Sequence, residues 1–233
     1  MAQPKQARTP FDRRTFRFLN ELAANNNREW FERNKHRYEQ VVRTPALAFI
    51  EAMAPRLKTI SARFDAIPKR TGGSLIRVYR DTRFGRDKTP YKTNIGIQFR
   101  HERGRDVHAP GFYVHIEPGG CFVGAGIWHP DAGTLRAIRT EILEHPDRWR
   151  KASRGKRLVA EFALAGDSLK RPPQGFPVEH PYLEDLKRKD FIALAGLEPR
   201  TVRQADFADV VTHMLRRTSG LMAFLCGAVD LEY

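Results

Sequence analysis

A chain of 233 residues with 41% hydrophobic content is long enough for one good-sized core. Its formal net charge of +14 points to anionic partners, either small anions or polyanions. Two cysteines, Cys121 within an apolar run and Cys226 near the C-terminus, lack the spacing of a metal site or a disulfide framework, which argues against cysteine-bound zinc and for a reducing compartment.

The first ten residues, MAQPKQARTP, are basic and carry no apolar h-region, so they read as a disordered tail ahead of a single domain over 11–233. Over 11–24 the apolar positions Phe16, Leu19, Leu22 and Ala23 recur at helical spacing, and Asn25, Asn26 and Asn27 end the pattern. A second helix is expected over 29–42, with Trp30, Phe31, Asn34, Tyr38, Val41 and Val42 on one stripe, and a third from Pro45 to 62. These form an N-terminal helical lobe whose aromatic stripe reads as core.

After Gly72 and Gly73 the hydrophobic period falls from about 3.6 to 2, the signature of sheet. Strands are expected at 75–80, 94–100, 111–117 and 121–127, the last two joined as a hairpin by Pro118, Gly119 and Gly120. Strand alternation sorts the side chains. One face takes Ile76, Val78, Ile95, Ile97, Phe99, Phe112, Val114 and Ile116. The other takes Arg77, Tyr79, Asn94, Gln98, Tyr113, His115 and Glu117. In the last strand either Val123, Ala125 and Ile127 or Phe122, Gly124 and Gly126 share the polar side.

From Asp131, a candidate N-cap, helical spacing returns through Leu135, Ile138, Ile142 and Leu143. A strand over 158–165, a proline-rich connection over 169–182, a short helix over 183–188, a strand over 191–194 and helices over 205–217 and 220–229 complete the chain. The expected fold class is therefore α+β: an N-terminal helical lobe, a central, mainly antiparallel sheet of about five strands, and C-terminal helices. No apolar run reaches the roughly 18 residues of a membrane span, so no membrane partner and a cytoplasmic location are expected.

The chemistry concentrates in GSLIRVYRDTRFGRDKTPYKTNIGIQF. Between Arg77 and Lys92 it holds six cations (Arg77, Arg80, Arg83, Arg86, Lys88, Lys92) against Asp81 and Asp87, together with Tyr79 and Tyr91. Arginine supplies a planar fork of donors for phosphate or carboxylate oxygens and lysine a point charge. Arg77, Arg80, Arg83, Lys88 and Lys92 are the candidate anion ligands, with Asp81 and Asp87 holding cations in place. Tyr79, Tyr91, Tyr113 and Trp128 would orient a ligand, and His115 is the candidate acid or base. An internally salt-bridged structural loop is the simpler alternative. His129, beside Trp128, could meet the site from the helix entrance. No metal-ligand spacing accompanies either histidine, no phosphate loop or nucleophile elbow is present, and no cofactor or reaction follows from the residues. A nucleic-acid partner is the alternative to an anionic small molecule. It would use the same loop with the basic cluster over 148–157.

The runs NNNREWFERNKHRYE, RVYRDTRFGRDKTPYKTNIG, GFYVHIEPGGCFVGAGIWHP, LRAIRTEI and LKRPPQGFPVEHPYLEDLKRKDF occur in an order that resembles the bacterial family called domain of unknown function 2461. The resemblance runs from about Phe11 to the C-terminal helices. It implies a single-domain, mostly cytoplasmic protein, with no activity and no catalytic residues to carry over.

Overall fold

The computed structural model describes residues 11–83, 87–104 and 109–233. The expected tail over 1–10, and Arg86 of the basic loop, lie outside the described residues. Helix α1 (Arg13–Ala24) opens on a capping box. The Asp12 carboxylate accepts from the backbone N–H of Arg14 (2.7 Å) and of Thr15 (3.3 Å), satisfying donors that no helical carbonyl can reach. Phe18, Leu19 and Leu22 form its buried stripe. Helix α2 (Arg28–Tyr38) is capped by Asn27, whose side chain accepts from Trp30 N–H at 2.9 Å.

The two helices expected next are one helical path. A π-helical turn, Glu39–Arg43, links α2 to α3 (Thr44–Lys58) without a break. Pro45 explains it. Lacking an N–H, it cannot donate to the carbonyl of Val41, and the chain widens so that Thr44 N–H bonds to the Glu39 carbonyl instead. The orphaned Val41 carbonyl accepts from the Thr15 hydroxyl of α1 at 2.8 Å, and Thr15 is itself buried.

The sheet comprises β1 (Phe64–Asp65), β2 (Ile95–His101), β3 (Gly111–Ile116), β4 (Phe122–Ile127), β5 (Ala163–Ala165) and β6 (Phe191–Gly196). Its order is β1-β2-β3-β4-β6-β5, with every pairing antiparallel among the described residues. Around it run α4 (Ala132–Glu144), α5 (Pro146–Arg154), α6 (Lys156–Val159), α7 (Leu183–Leu186), α8 (Pro199–Val202), α9 (Phe207–Arg217) and α10 (Ser219–Ala228). The fold is α+β, as expected. One sheet face is apolar and buried: Ile95, Ile97 and Phe99 from β2, Phe112, Val114 and Ile116 from β3, Val123, Ala125 and Ile127 from β4, and Phe191, Ala193 and Ala195 from β6. Helices α3, α9 and α10 pack on the sheet at β2 and β4. The register thus resolves β4: Phe122 and Gly124 take the opposite face, paired with His115 and Tyr113 of β3.

Two expected strands are shorter or absent. The segment 75–80 makes only isolated bridges, Leu75 with Ile97 and Tyr79 with Tyr91. Leu75 and Val78, three residues apart, are both buried, so the segment does not alternate. Ile76 leaves the apolar face and lies with Tyr113. The Ile76 Cδ1 and the Tyr113 hydroxyl would stand 3.2 and 2.7 Å from any Cβ at Gly96, which is why that position takes no side chain. The run 158–165 divides into the end of α6, where Leu158 turns back on Gly155, and the three residues of β5.

Replacing Thr15 by valine keeps its shape and strands the Val41 carbonyl in a buried site. We expect chemical denaturation to show a loss of about 1–3 kcal/mol, whereas a loss below a few tenths would remove this account of the π turn.

Candidate functional site

The basic loop rises from a short antiparallel ladder. Arg80 N–H donates to the Pro90 carbonyl and Lys92 N–H to the Val78 carbonyl, each at 2.8 Å, on either side of the Tyr79–Tyr91 bridge. The helical lobe clamps this base. The Asn26 side chain donates through Nδ2 to the Tyr91 carbonyl (2.9 Å) and accepts the Tyr91 N–H on Oδ1 (3.1 Å), serving as a pseudo-backbone partner. The Tyr91 ring stacks on Phe31 of α2 at 4.0 Å between centroids and is 2% exposed. Tyr91 is therefore a buried anchor for the base of the loop. Tyr79, 44% exposed, lies over the same pair at 6.2 Å from Phe31 and 5.5 Å from Tyr91.

Much of the loop's charge is used internally. Arg83 forms a forked pair with Asp81 at 2.7 and 3.0 Å, which holds that carboxyl well below the usual range. Arg80 pairs with Asp87, whose carboxyl is also lowered, chiefly by hydrogen bonds from the Thr89 backbone and hydroxyl and then by Arg80. Lys88 donates to the Thr82 carbonyl at 2.8 Å.

Lys92 differs. It is half-buried and its Nζ donates to two carbonyls, of Arg77 at 3.0 Å and Tyr79 at 3.3 Å. Among the described residues neither Lys92 nor the exposed Arg77 has a carboxylate within ion-pair distance, although the charge of Arg77 also acts on Asp81. Burial, followed by the charges of Arg77 and Arg80, pushes the Lys92 ammonium below its ordinary value.

The neighbouring strands bring a second group to this end of the sheet. His115, its side chain 14% exposed, stacks on Phe122 at 4.6 Å and 9°. Its Nε2 lies 3.1 Å from Glu117 Oε2, and its Nδ1 lies 3.2 Å from the Tyr113 hydroxyl and 3.4 Å from Asn94 Nδ2. A carboxylate only accepts, so Nε2 carries a proton and Nδ1 is left to accept from Tyr113 or Asn94. Glu117 also accepts from the Thr93 hydroxyl at 2.7 Å. Burial raises the Glu117 carboxyl, but the bonds from Thr93 and His115, with the charges of His115 and Arg80, bring it below the usual value. Burial raises the Tyr113 phenol, which stays protonated. Thr93 follows Lys92 directly, and the charge of Arg80 acts on both Lys92 and Glu117, so the relay lies near the base of the loop.

Trp128 lies at the other end of β4. Phe122, the partner of His115, is six residues away, about 20 Å at 3.3 Å per residue. There the exposed Trp128 ring stacks on His129 at 4.2 Å. His129 adopts a left-handed φ of 49° and is held through its N–H (2.8 Å) and Nδ1 (3.0 Å) by Asp190, a carboxylate that is 1% exposed. Asp190 leaves no room for a Cβ at Gly166, where the contact would be 2.4 Å. The histidine and tryptophan of the helix entrance thus form a separate cluster.

The basic cluster over 148–157 is partly neutralised, by Arg148 with Glu141 (2.6 Å), Arg150 with Asp147 (3.5 Å) and Arg154 with Asp185 (2.7 Å). It sits on α5 and α6, and α5 packs on α4 and α10, whereas the loop packs on α2. Glu141, Glu144 and His145 bring potential metal-ligand atoms within 4.8 Å of one another, but Glu141 is already bound by Arg148. Two clefts, of about 730 and 440 Å³, contain no residue of the loop or the His115 row. The larger is lined by Glu161, Glu198, Asp206 and Asp209 among others. No helix of the described residues is long and apolar enough to cross a membrane.

The profile of a family described as conserved hypothetical protein (DUF2461) matches residues 14–224. The chain belongs to this family. Comparison with curated proteins and with solved structures returns no match. The DUF2461 match takes in the loop, the relay and the Trp128 cluster alike, so it does not choose among them.

Sequence reasoning did not find Asn26, Thr93, Phe122 or Asp190 as site residues. The run of three asparagines was the available signal for Asn26, because Asn25 and Asn27 cap the two helices and the middle carboxamide is spare.

Thr93→Val should destabilise the protein by roughly 1 kcal/mol at neutral pH. Because Glu117 is lowered in the folded state, its contribution is present above the ordinary carboxyl value and is lost as pH falls through the folded one. The gap between wild type and variant, followed by urea melts, should therefore close in acid. A gap that stays constant to low pH would show that Thr93 does not act through the Glu117 charge.

Proposed function

We propose that the corner formed by Arg77, Arg80 and Lys92 binds a phosphate- or carboxylate-bearing small molecule on the polar sheet face. The observation that carries this reading is Lys92: a half-buried cation bound only by neutral carbonyls, beside Arg77, which has no carboxylate, and Arg80, which shares Asp87. Lys92 is held beside two arginines with no carboxylate in contact with it among the described residues, which is costly, and an anionic ligand would supply the balance. The fixed ladder and the Asn26 clamp keep the donors in place, which reduces the ordering needed on binding.

Tyr113, His115 and Glu117 give this corner a means of moving a proton. Nδ1 of His115 can take the Tyr113 proton while Glu117 stabilises the imidazolium. His115 is the acid or base of any reaction here, working through the Tyr113 hydroxyl because Glu117 occupies its other nitrogen. Tyr79 and Arg77, both exposed, complete the ligand surface. Arg83 and Lys88 are turned to internal partners and play a supporting part. The nucleic-acid alternative needs the loop and the 148–157 cluster on one stripe. It has weaker support, since the two pack against different helices and three of the cluster's four arginines are paired.

Titration of the protein with inorganic phosphate, pyrophosphate and short oligonucleotides, followed by melting temperature, separates these readings. Arg77→Ala should weaken small-anion binding by about tenfold or more, the worth of one charge-assisted hydrogen bond. Intact binding in Arg77→Ala, with loss in a Lys151→Ala, Arg154→Ala double variant, would sink the proposal.

A further inference from the structure

His101 ends β2, at the opposite end of that strand from Thr93 and the basic loop. It is 3% exposed and stands edge-on to Phe64, its partner on β1, at 5.3 Å between centroids. Each ring nitrogen meets a backbone group of one fixed polarity. Nε2 lies 2.8 Å from the Glu232 carbonyl, which only accepts, and Nδ1 lies 3.2 Å from the Arg103 amide nitrogen, whose N–H only donates. The ring is therefore neutral, with its proton on Nε2. A second proton would sit on Nδ1 and face the Arg103 N–H, and so deeply buried a ring has no open solvent to turn to instead. The turn that presents Arg103 is itself fixed, by the Gly104 N–H bonding to the His101 carbonyl at 2.8 Å.

The Glu232 carbonyl belongs to a segment, 230–233, that returns from α10 to the sheet. Asp230, with a left-handed φ of 55°, turns the chain back, and the Leu231 N–H bonds to the Cys226 carbonyl at 2.9 Å. The Tyr233 ring packs on Phe64 at 5.9 Å while its hydroxyl donates to Ser219 Oγ at 2.9 Å. The Glu232 carboxylate pairs with Arg63, which also holds Glu102 at 2.9 Å.

We propose that His101 is a proton-controlled latch: neutral, it holds 230–233 against β1 and β2, and on protonation it releases the segment and uncovers Phe64. Burial is the largest influence on the imidazole and lowers it below its ordinary value. Of the charged groups that face it, Glu102 and Asp65 favour the imidazolium while Arg63 and Arg103 oppose it. Both carboxylates already have cations of their own, Glu102 in Arg63 and Asp65 in Lys58. A histidine lowered in the folded state contributes stability that is present above its ordinary value of about 6.5 and is lost as pH falls through the folded one. The latch is thus closed at neutral pH and opens in acid, ahead of the carboxylates, whose ordinary range is near 4.

An NMR titration of the whole chain from neutral pH into acid tests this, reading the His101 ring, the amides of Leu231, Glu232 and Tyr233, and the amides of β3 as a monitor of global folding. The segment's signals should lose their native positions with the same midpoint as the His101 ring, below about 6.5, while β3 stays folded. Glu232→Gln removes the segment's own titrating carboxylate and should leave that midpoint in place. His101→Gln keeps an N–H donor for the Glu232 carbonyl and does not titrate in this range, so its segment should stay bound in acid that releases the wild type. A segment that stays in place after His101 has titrated overturns the latch, as does one that leaves only when β3 unfolds. Release at an unchanged pH in His101→Gln also overturns it, and a midpoint displaced by Glu232→Gln would assign the release to the Arg63 pair instead. Should His101→Gln not fold at neutral pH, the match of midpoints in wild type and Glu232→Gln decides.

Discussion

The two hydrogen bonds between the Asn26 carboxamide and the main chain of Tyr91 tie the turn between α1 and α2 to the base of the basic loop, and the candidate site depends on them. The residues concerned are 65 apart in sequence, so the contact fixes a long loop whose closure is entropically unfavourable. Once Tyr91 is seated on Phe31, the ladder from Val78 to Lys92 is in register. Lys92 then has the carbonyls of Arg77 and Tyr79 as its partners, and Thr93 is positioned to meet Glu117. A capping turn between two helices thus sets the geometry of a charged corner on the opposite lobe.

Charge distribution gives that corner its character. Asp81 and Asp87 neutralise arginines nearer the tip of the loop, while its base keeps Arg77 and Lys92 without carboxylates among the described residues. The internally bridged loop and the anion site are therefore different parts of one segment: the aspartates stiffen the tip, and the base retains net positive charge. The relay beside it is built on β3, where residues 113, 115 and 117 share a face by strand alternation. Phe122 and Gly96 shape it from the flanking strands, one by stacking on the imidazole and the other by leaving room for the phenol.

Much of this was legible in the sequence where a single period governed the chain. In β2 and β3 alternation placed every apolar residue correctly, and both faces were readable, because each strand has one polar face, whereas β4, buried on both faces, left two assignments open until the register was known. The 75–80 run misled for the same reason: Leu75 and Val78 are both inward, so its apolar residues do not follow period two, and Ile76 went to the wrong face. Pro45 read as a helix start because proline usually marks one. The π turn that absorbs it depends on Thr15, 26 residues away, and no local pattern could show that. Tyr91 and Trp128 were both expected among the residues that orient a ligand. Tertiary packing separates them, one buried on Phe31 and the other at the far end of β4.

The account turns on Lys92 being a cation without an anionic partner, and titrating its amine tests that most directly. With lysine side chains isotopically labelled and the Lys92 signal assigned by Lys92→Arg, its ionisation can be followed by NMR with and without inorganic phosphate. The account predicts a midpoint below the ordinary lysine value of about 10.4, moving upward when phosphate binds. An ordinary or raised midpoint that phosphate does not move would contradict it, since it would mean that Lys92 already has its counter-charge.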